Sequence, residues 1–229
     1  MNNLRVSQYG PSALLVEFAD RVNESSLARC RGLLRCLEEN PLEELREITP
    51  GFCSVLLEFD DAKGMASRSE ALRKTLQLAK PQPKEEAARH EISVCYDGAD
   101  LEDLARRNRL SVTDVVELHS LPIYSVFLIG FSPGFPYLGP LDARLHAERR
   151  STPRARVPAG SVAIGGEHTG IYSIASPGGW WLVGRTNAMV FSVSKAVDHG
   201  SKQAFLLRQG DLVSFRPVGS LPNPVDRAK

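Results

Sequence analysis

Long apolar runs are missing from these 229 residues. No window approaches the roughly 20 consecutive apolar residues that span a bilayer, which argues against a membrane role. An excess of charge of one sign is missing too: 28 Lys plus Arg stand against 27 Asp plus Glu. Nothing in that balance pulls the whole molecule onto nucleic acid. Cysteine is scarce, and Cys30, Cys36, Cys53 and Cys95 are spaced as neither a zinc ligand set nor a redox pair, so they read as reduced core residues and no structural metal is expected. No glycine-rich loop ends in Gly-Lys-Ser/Thr and no His-Glu-x-x-His pair occurs, which disfavours a self-sufficient ATPase or zinc hydrolase. The first residues, Met1-Asn2-Asn3-Leu4-Arg5, lead into short alternating runs rather than an apolar leader, so the expected location is the cytoplasm.

What is present is a core-forming chain, 42% hydrophobic, with its turn residues unevenly placed: 13 of 18 Gly and 10 of 15 Pro follow Ser120. Two architectures are therefore expected, an α+β part and then a β-rich part whose brief strands are separated by turns. In the first, Ala13–Phe18 and Val55–Phe59 alternate as half-buried strands, each preceded by a Gly-Pro or Pro-Gly turn and followed by a helix. Leu27, Cys30, Leu34 and Leu37 line one face of the first helix, and the second helix is placed at about Ser67–Leu78. With a last strand at about 90–96, the pattern predicts a ferredoxin-like βαββαβ domain with an extra leading strand over residues 1–88, joined through the Pro-containing stretch from Lys80 to Glu86. Asp100–Arg107 and Thr113–His119 read as two capped helices leading the second domain, 97–229.

Chemistry concentrates in the second half. Gly130-Phe131-Ser132-Pro133-Gly134-Phe135-Pro136-Tyr137-Leu138-Gly139 cannot be a helix or a central strand, and should be a rigid loop that aims three aromatics at a barrel end or a pocket. Arg149, Arg150, Arg154 and Arg156 present forks suited to carboxylate or phosphate, although such a run can equally be a solvated face. His168-Thr169-Gly170-Ile171-Tyr172 and Ser176-Pro177-Gly178-Gly179-Trp180-Trp181-Leu182-Val183-Gly184-Arg185-Thr186 add hydroxyl, imidazole and indole donors in turns. Trp180 and Trp181 alternate across a strand, so at least one belongs to the core.

Taken in order, Gly-Phe-Ser-Pro-Gly-Phe-Pro-Tyr-Leu, Pro-Arg-x-x-Val-Pro-Ala-Gly-Ser-Val-x-Ile-Gly-Gly, Thr-Gly-Ile-Tyr, Ser-Pro-Gly-Gly-Trp and Gly-Arg-Thr closely resemble the family of bacterial 5-oxoprolinase B subunits, KipI-type kinase inhibitors and allophanate-hydrolase first subunits. The resemblance implies an N-terminal α+β domain followed by a cyclophilin-like β-barrel. It also implies ATP with Mg2+ as cofactor, a larger C subunit resembling allophanate hydrolase subunit 2, and an A subunit for ring opening. Carried onto this chain, it marks His119, Phe131, Phe135, Tyr137, Arg154, Arg156, Ser161, His168, Thr169, Tyr172, Trp180, Arg185 and Thr186 as substrate or interface candidates, with the catalytic residue unassigned. Three functions follow from the resemblance: ATP-dependent opening of 5-oxoproline, inhibition of a sensor histidine kinase through the aromatic loop, or carboxyl transfer to a urea-type amide. His168, Ser173 and Asn187 depart from the residues the family commonly carries there, and all three lie in turn segments that bear on substrate choice.

Overall fold

Leu14 and Val16 stand in register with Leu57 and Val55, so two alternating strands bury the same face. They belong to the first of two units, Met1–Glu86 and Ala87–Lys229, in a computed structural model that describes residues 4–82, 87–199 and 201–221.

In the first unit the elements are β1 (Arg5–Gln8), β2 (Ala13–Glu17), α1 (Glu24–Glu39), β3 (Leu45–Pro50), β4 (Ser54–Phe59) and α2 (Met65–Leu78). The sheet is antiparallel in the order β1-β2-β4-β3. Its apolar face meets Cys30, Leu33 and Leu37 of α1 and Leu72 and Leu76 of α2 in one core. Helix α1 opens on a capping box, in which the Asn23 side chain accepts from the Ser26 N–H and the Ser26 hydroxyl accepts from the Asn23 N–H.

The closing strand expected at 90–96 does not join this sheet. A βαββαβ sheet seats its last strand beside the first strand of the motif, here β2. The leading strand β1 already pairs with that edge along Arg5–Gln8. The displaced segment forms β5 (Arg89–Val94) and pairs in parallel with a strand from the far end of the chain. The first unit consequently stops at Glu86, and the ferredoxin-like expectation is corrected to a four-stranded antiparallel sheet with two helices. Of the expected joint, residues 83–86 lie outside those described.

The second unit continues with α3 (Leu101–Arg107), α4 (Val112–Ser120), β6 (Ile123–Ile129), β7 (Pro136–Gly139), β8 (Arg154–Val157), β9 (Ser161–Gly165), β10 (His168–Ile171), β11 (Ser176–Gly178), β12 (Trp181–Arg185), α5 (Val193–His199) and β13 (Leu212–Pro217). Seven strands form a mixed, curled sheet in the order β12-β9-β10-β7-β6-β13-β5, and β8 with β11 makes a separate two-stranded ribbon. The outermost strands meet at one point, where Cys95 and Arg185 exchange two backbone hydrogen bonds of 2.9 Å. Inside the curl, Ile92, Val94, Tyr124, Val126, Leu138, Ile164, Ile171, Val183, Val213 and Phe215 form a core with α3 and α4 residues. No helix among the described residues is long and apolar enough to cross a membrane.

Candidate functional site

Of the segment expected to be loop throughout, Pro136–Gly139 is instead the interior strand β7, paired on both sides with β6 and β10, its proline tolerated as the first residue of the strand. The loop proper, Gly130 to Phe135, is tied to itself by three backbone bonds, Gly130 N–H to Phe135 O, Ser132 N–H to Gly130 O and Phe135 N–H to Ser132 O, at 3.0, 2.8 and 3.0 Å. Phe131 takes a left-handed backbone, φ +67°, which is costly for a bulky side chain and fixes its direction. The result is an exposed Phe131 edge-on to a fully buried Phe135. Around Phe135 stand Tyr137, Tyr172 and Trp180, with ring centroids 5.1, 5.3 and 5.3 Å away in T-shaped contact.

These rings line a cleft of about 190 Å³, closed on its other side by Arg149, Pro153, Pro177, Gly178 and Gly179. Trp180 lies against Gly165, where a Cβ would come within 2.5 Å of the indole. Burial pushes the Tyr137 and Tyr172 hydroxyls above the ordinary phenol range, and the Arg149 guanidinium partly opposes that shift. The Tyr172 oxygen is further held by the backbone N–H of Trp180. Arg149 is exposed and forms no ion pair with any described carboxylate. The cleft therefore offers the exposed Phe131 and the half-buried Tyr137, over a floor of buried aromatics, to a small flat ring, and one guanidinium to an anionic group.

Five of the expected residues, Phe131, Phe135, Tyr137, Tyr172 and Trp180, come together here. The others do not. Arg154 donates to Asp100 Oδ1 at 2.7 Å, and Arg150 to the same oxygen at 2.8 Å, while Leu182 N–H bonds Oδ2 at 2.8 Å. Asp100 precedes α3 but makes no side-chain cap, because its carboxylate is taken up by this buried cluster. Since Arg154 also pairs with Gly178 in the β8–β11 ribbon, it fixes a wall of the cleft rather than facing the cleft.

His119 is fully buried and stacks on Phe215 at 4.7 Å. Thr169 Oγ1 donates to Ala163 O at 3.0 Å, so it accepts from His119 Nε2–H at 2.7 Å, and Nδ1 accepts from the Tyr96 hydroxyl at 2.7 Å. Burial depresses the imidazole to about 3. This closed chain of hydrogen bonds is a core device, with no group left over for proton transfer.

His168 meets Tyr137 and Phe127 edge-on behind the cleft, at 6.2 and 5.9 Å, and burial lowers its pKa. Ser161 is buried in β9 opposite Arg185. Arg185 pairs with Asp97 at 2.8 Å, Thr186 is buried beyond β12 and accepts from Ala188 N–H, and Arg156 is exposed on β8. Arg149 is the residue that sequence reasoning left undistinguished. It shares the arginine run with Arg150 and Arg154, and only the distant Asp100 separates those structural members from it.

Fold and site together define an α/β protein of two units whose curled sheet carries a small aromatic cleft with a cationic rim. Residues 4–199 match the family described as carboxyltransferase domain, subdomain C and D, and the chain belongs to that family. It is 35% identical to the 5-oxoprolinase B subunit of Bacillus subtilis (strain 168) over 225 residues, 92% of this chain and 91% of the relative. It is 45% identical to the 5-oxoprolinase B subunit of Haemophilus influenzae over 161 residues, 69% and 70% of the two chains. Urea amidolyase of Saccharomyces cerevisiae is 27% identical over 246 residues, covering 92% of this chain but 13% of that protein. Among solved structures, TTHA0988 superposes with a TM-score of 0.77 at 35% identity over 93% of this chain, which spans 41% of that protein.

Proposed function

We propose that this chain is the B subunit of an ATP-dependent 5-oxoprolinase that converts 5-oxo-L-proline to L-glutamate with a larger C subunit, an A subunit assisting ring opening. The observation that carries the reading is its near full-length identity to a relative named as the 5-oxoprolinase B subunit. The cleft agrees with it. 5-Oxoproline is a small, nearly flat lactam with one carboxylate, so aromatic walls can cover the ring while Arg149 takes the carboxylate through paired hydrogen bonds. The curled seven-stranded sheet is read as the cyclophilin-like barrel of the family.

The described residues do not by themselves fit ATP with Mg2+. A cleft of about 190 Å³ suits a small ring rather than a nucleotide, and no group of three His, Cys, Asp or Glu side chains stands ready for a metal among the described residues. In this reading the nucleotide site belongs to the larger partner or is shared with it.

The match to urea amidolyase favours one second reading, carboxyl transfer to a urea-type amide. The test combines this chain with the larger subunit encoded in the same organism and follows ATP turnover. Turnover that requires 5-oxoproline supports the first reading, and turnover with urea but not 5-oxoproline replaces it with the second. Inhibition of a sensor histidine kinase by this chain, with no turnover in the mixture, promotes the kinase-inhibitor function instead.

A further inference from the structure

The even-numbered residues of β5 face β13: Ala88 O, just before β5, accepts from Leu212 N–H, and Val94 O accepts from Val218 N–H, just after β13, both at 2.9 Å. Peptide groups alternate sides along a strand, so Arg89, Glu91 and Ser93 direct their N–H and C=O groups to the opposite edge. None of these groups has a backbone partner among the described residues. That edge is able to pair, because Cys95, next in the same alternation, pairs there with Arg185. After Arg185 the chain leaves the strand direction, and a groove of about 610 Å³ opens between β5 and residues 186–189.

The groove has a chemical character of its own. Arg89, Lys195 and Arg216 line it, and among the described residues only Arg216 is neutralised, by Glu91 at 2.9 Å. Met189 and Leu206 add exposed apolar surface, at 63% and 40% exposure. An edge of six residues with neither proline nor bulge, left unpaired among the described residues, is a template for another strand.

We propose that the open edge of β5 is a docking site for an extended acidic segment of a partner polypeptide, which adds to the sheet as an eighth strand. Backbone hydrogen bonds from Arg89, Glu91 and Ser93 supply the attachment, and the cationic and apolar walls select alternating acidic and apolar side chains. Nucleic acid fits the charge but cannot use the backbone edge.

The test titrates the full, isotope-labelled chain with the peptide acetyl-Glu-Val-Glu-Val-Glu-Val-amide and follows backbone amide signals. Expected are shifts and slowed exchange at Arg89, Glu91 and Ser93, at least tenfold weaker binding for Arg89→Glu and for Lys195→Glu, and loss of binding when alternate peptide nitrogens are methylated. Unperturbed β5 amides overturn the proposal, as does equal binding of a control peptide with lysine in place of each glutamate. Binding that appears only after removal of residues 222–229 assigns the edge to the chain's own tail, and a dimer dissolved by the peptide assigns it to a second copy. Either result overturns the partner assignment.

Discussion

Arg149 and Arg154 are five positions apart yet face different fates, and substitution separates them. Arg149 has no ion pair to lose among the described residues, so Arg149→Ala is expected to leave the melting temperature nearly unchanged while weakening substrate use. Loss of a charge-assisted hydrogen bond costs about 1.5–3 kcal/mol, roughly ten- to hundredfold in KM or Kd. Asp100→Ala strands two partly buried guanidinium groups and the Leu182 N–H. Breaking a buried pair by removing one partner costs about 3–5 kcal/mol, so a clear fall in melting temperature is expected. If instead Arg149→Ala melts early and Asp100→Ala does not, the roles are reversed. His119 adds a pH dependence. Its pKa falls from 6.5 to about 3 on folding, so below about pH 6 the unfolded chain takes up a proton that the folded chain refuses. Stability present above that pH should decline by about 1.4 kcal/mol per unit on acidification toward pH 3. Urea unfolding at pH 7, 6 and 5 reads that slope, and His119→Gln should flatten it.

At the scale of elements, the cleft depends on the β8–β11 ribbon lying close to Tyr172. A Cβ at Gly178 would collide with the Tyr172 hydroxyl, whereas the nearest atom to one at Gly179 is 3.5 Å away, an ordinary contact. Gly178→Ala should therefore cost about 1–3 kcal/mol by overpacking and impair ligand binding, while Gly179→Ala should be tolerated. Equal behaviour of the two variants in thermal melts and binding would contradict this account. Local chemistry made these elements readable from sequence: the alternation in β2 and β4, the apolar stripe of α1 and the Gly-Pro punctuation of the aromatic loop each encode a conformation over a few residues. Pairing is not encoded that way. A strand expected at about 90–96 forms at Arg89–Val94, but its partner β13 lies over a hundred positions away, and β1 occupies the place a local pattern assigns it. The same limit applies at the site. Five aromatics could be gathered from their motifs, whereas His119 and Arg154 resembled chemistry until Tyr96 and Thr169 were seen to occupy both ring nitrogens of the imidazole and Asp100 to hold the guanidinium in an ion pair.

For the molecule as a whole, the displaced strand moves the point at which the chain can be divided. A cut before residue 97 would follow the expected end of the first domain, but it removes β5 from the sheet that holds it. That fragment loses six residues paired with β13, the buried side chains Ile92 and Val94, and the Cys95–Arg185 bridge that joins the two outer strands. At about 25 cal/mol per Å² of apolar surface, two buried β-branched side chains alone represent about 3–6 kcal/mol, a large share of the 5–15 kcal/mol by which a domain is usually stable. A fragment spanning 87–229 keeps all of these contacts, since the second unit begins at Ala87. We expect 87–229 to melt cooperatively with dispersed amide signals, and 97–229 to be unfolded or aggregated under the same conditions. Cooperative melting of 97–229 at the temperature of the longer fragment would show that β5 is dispensable to the curled sheet.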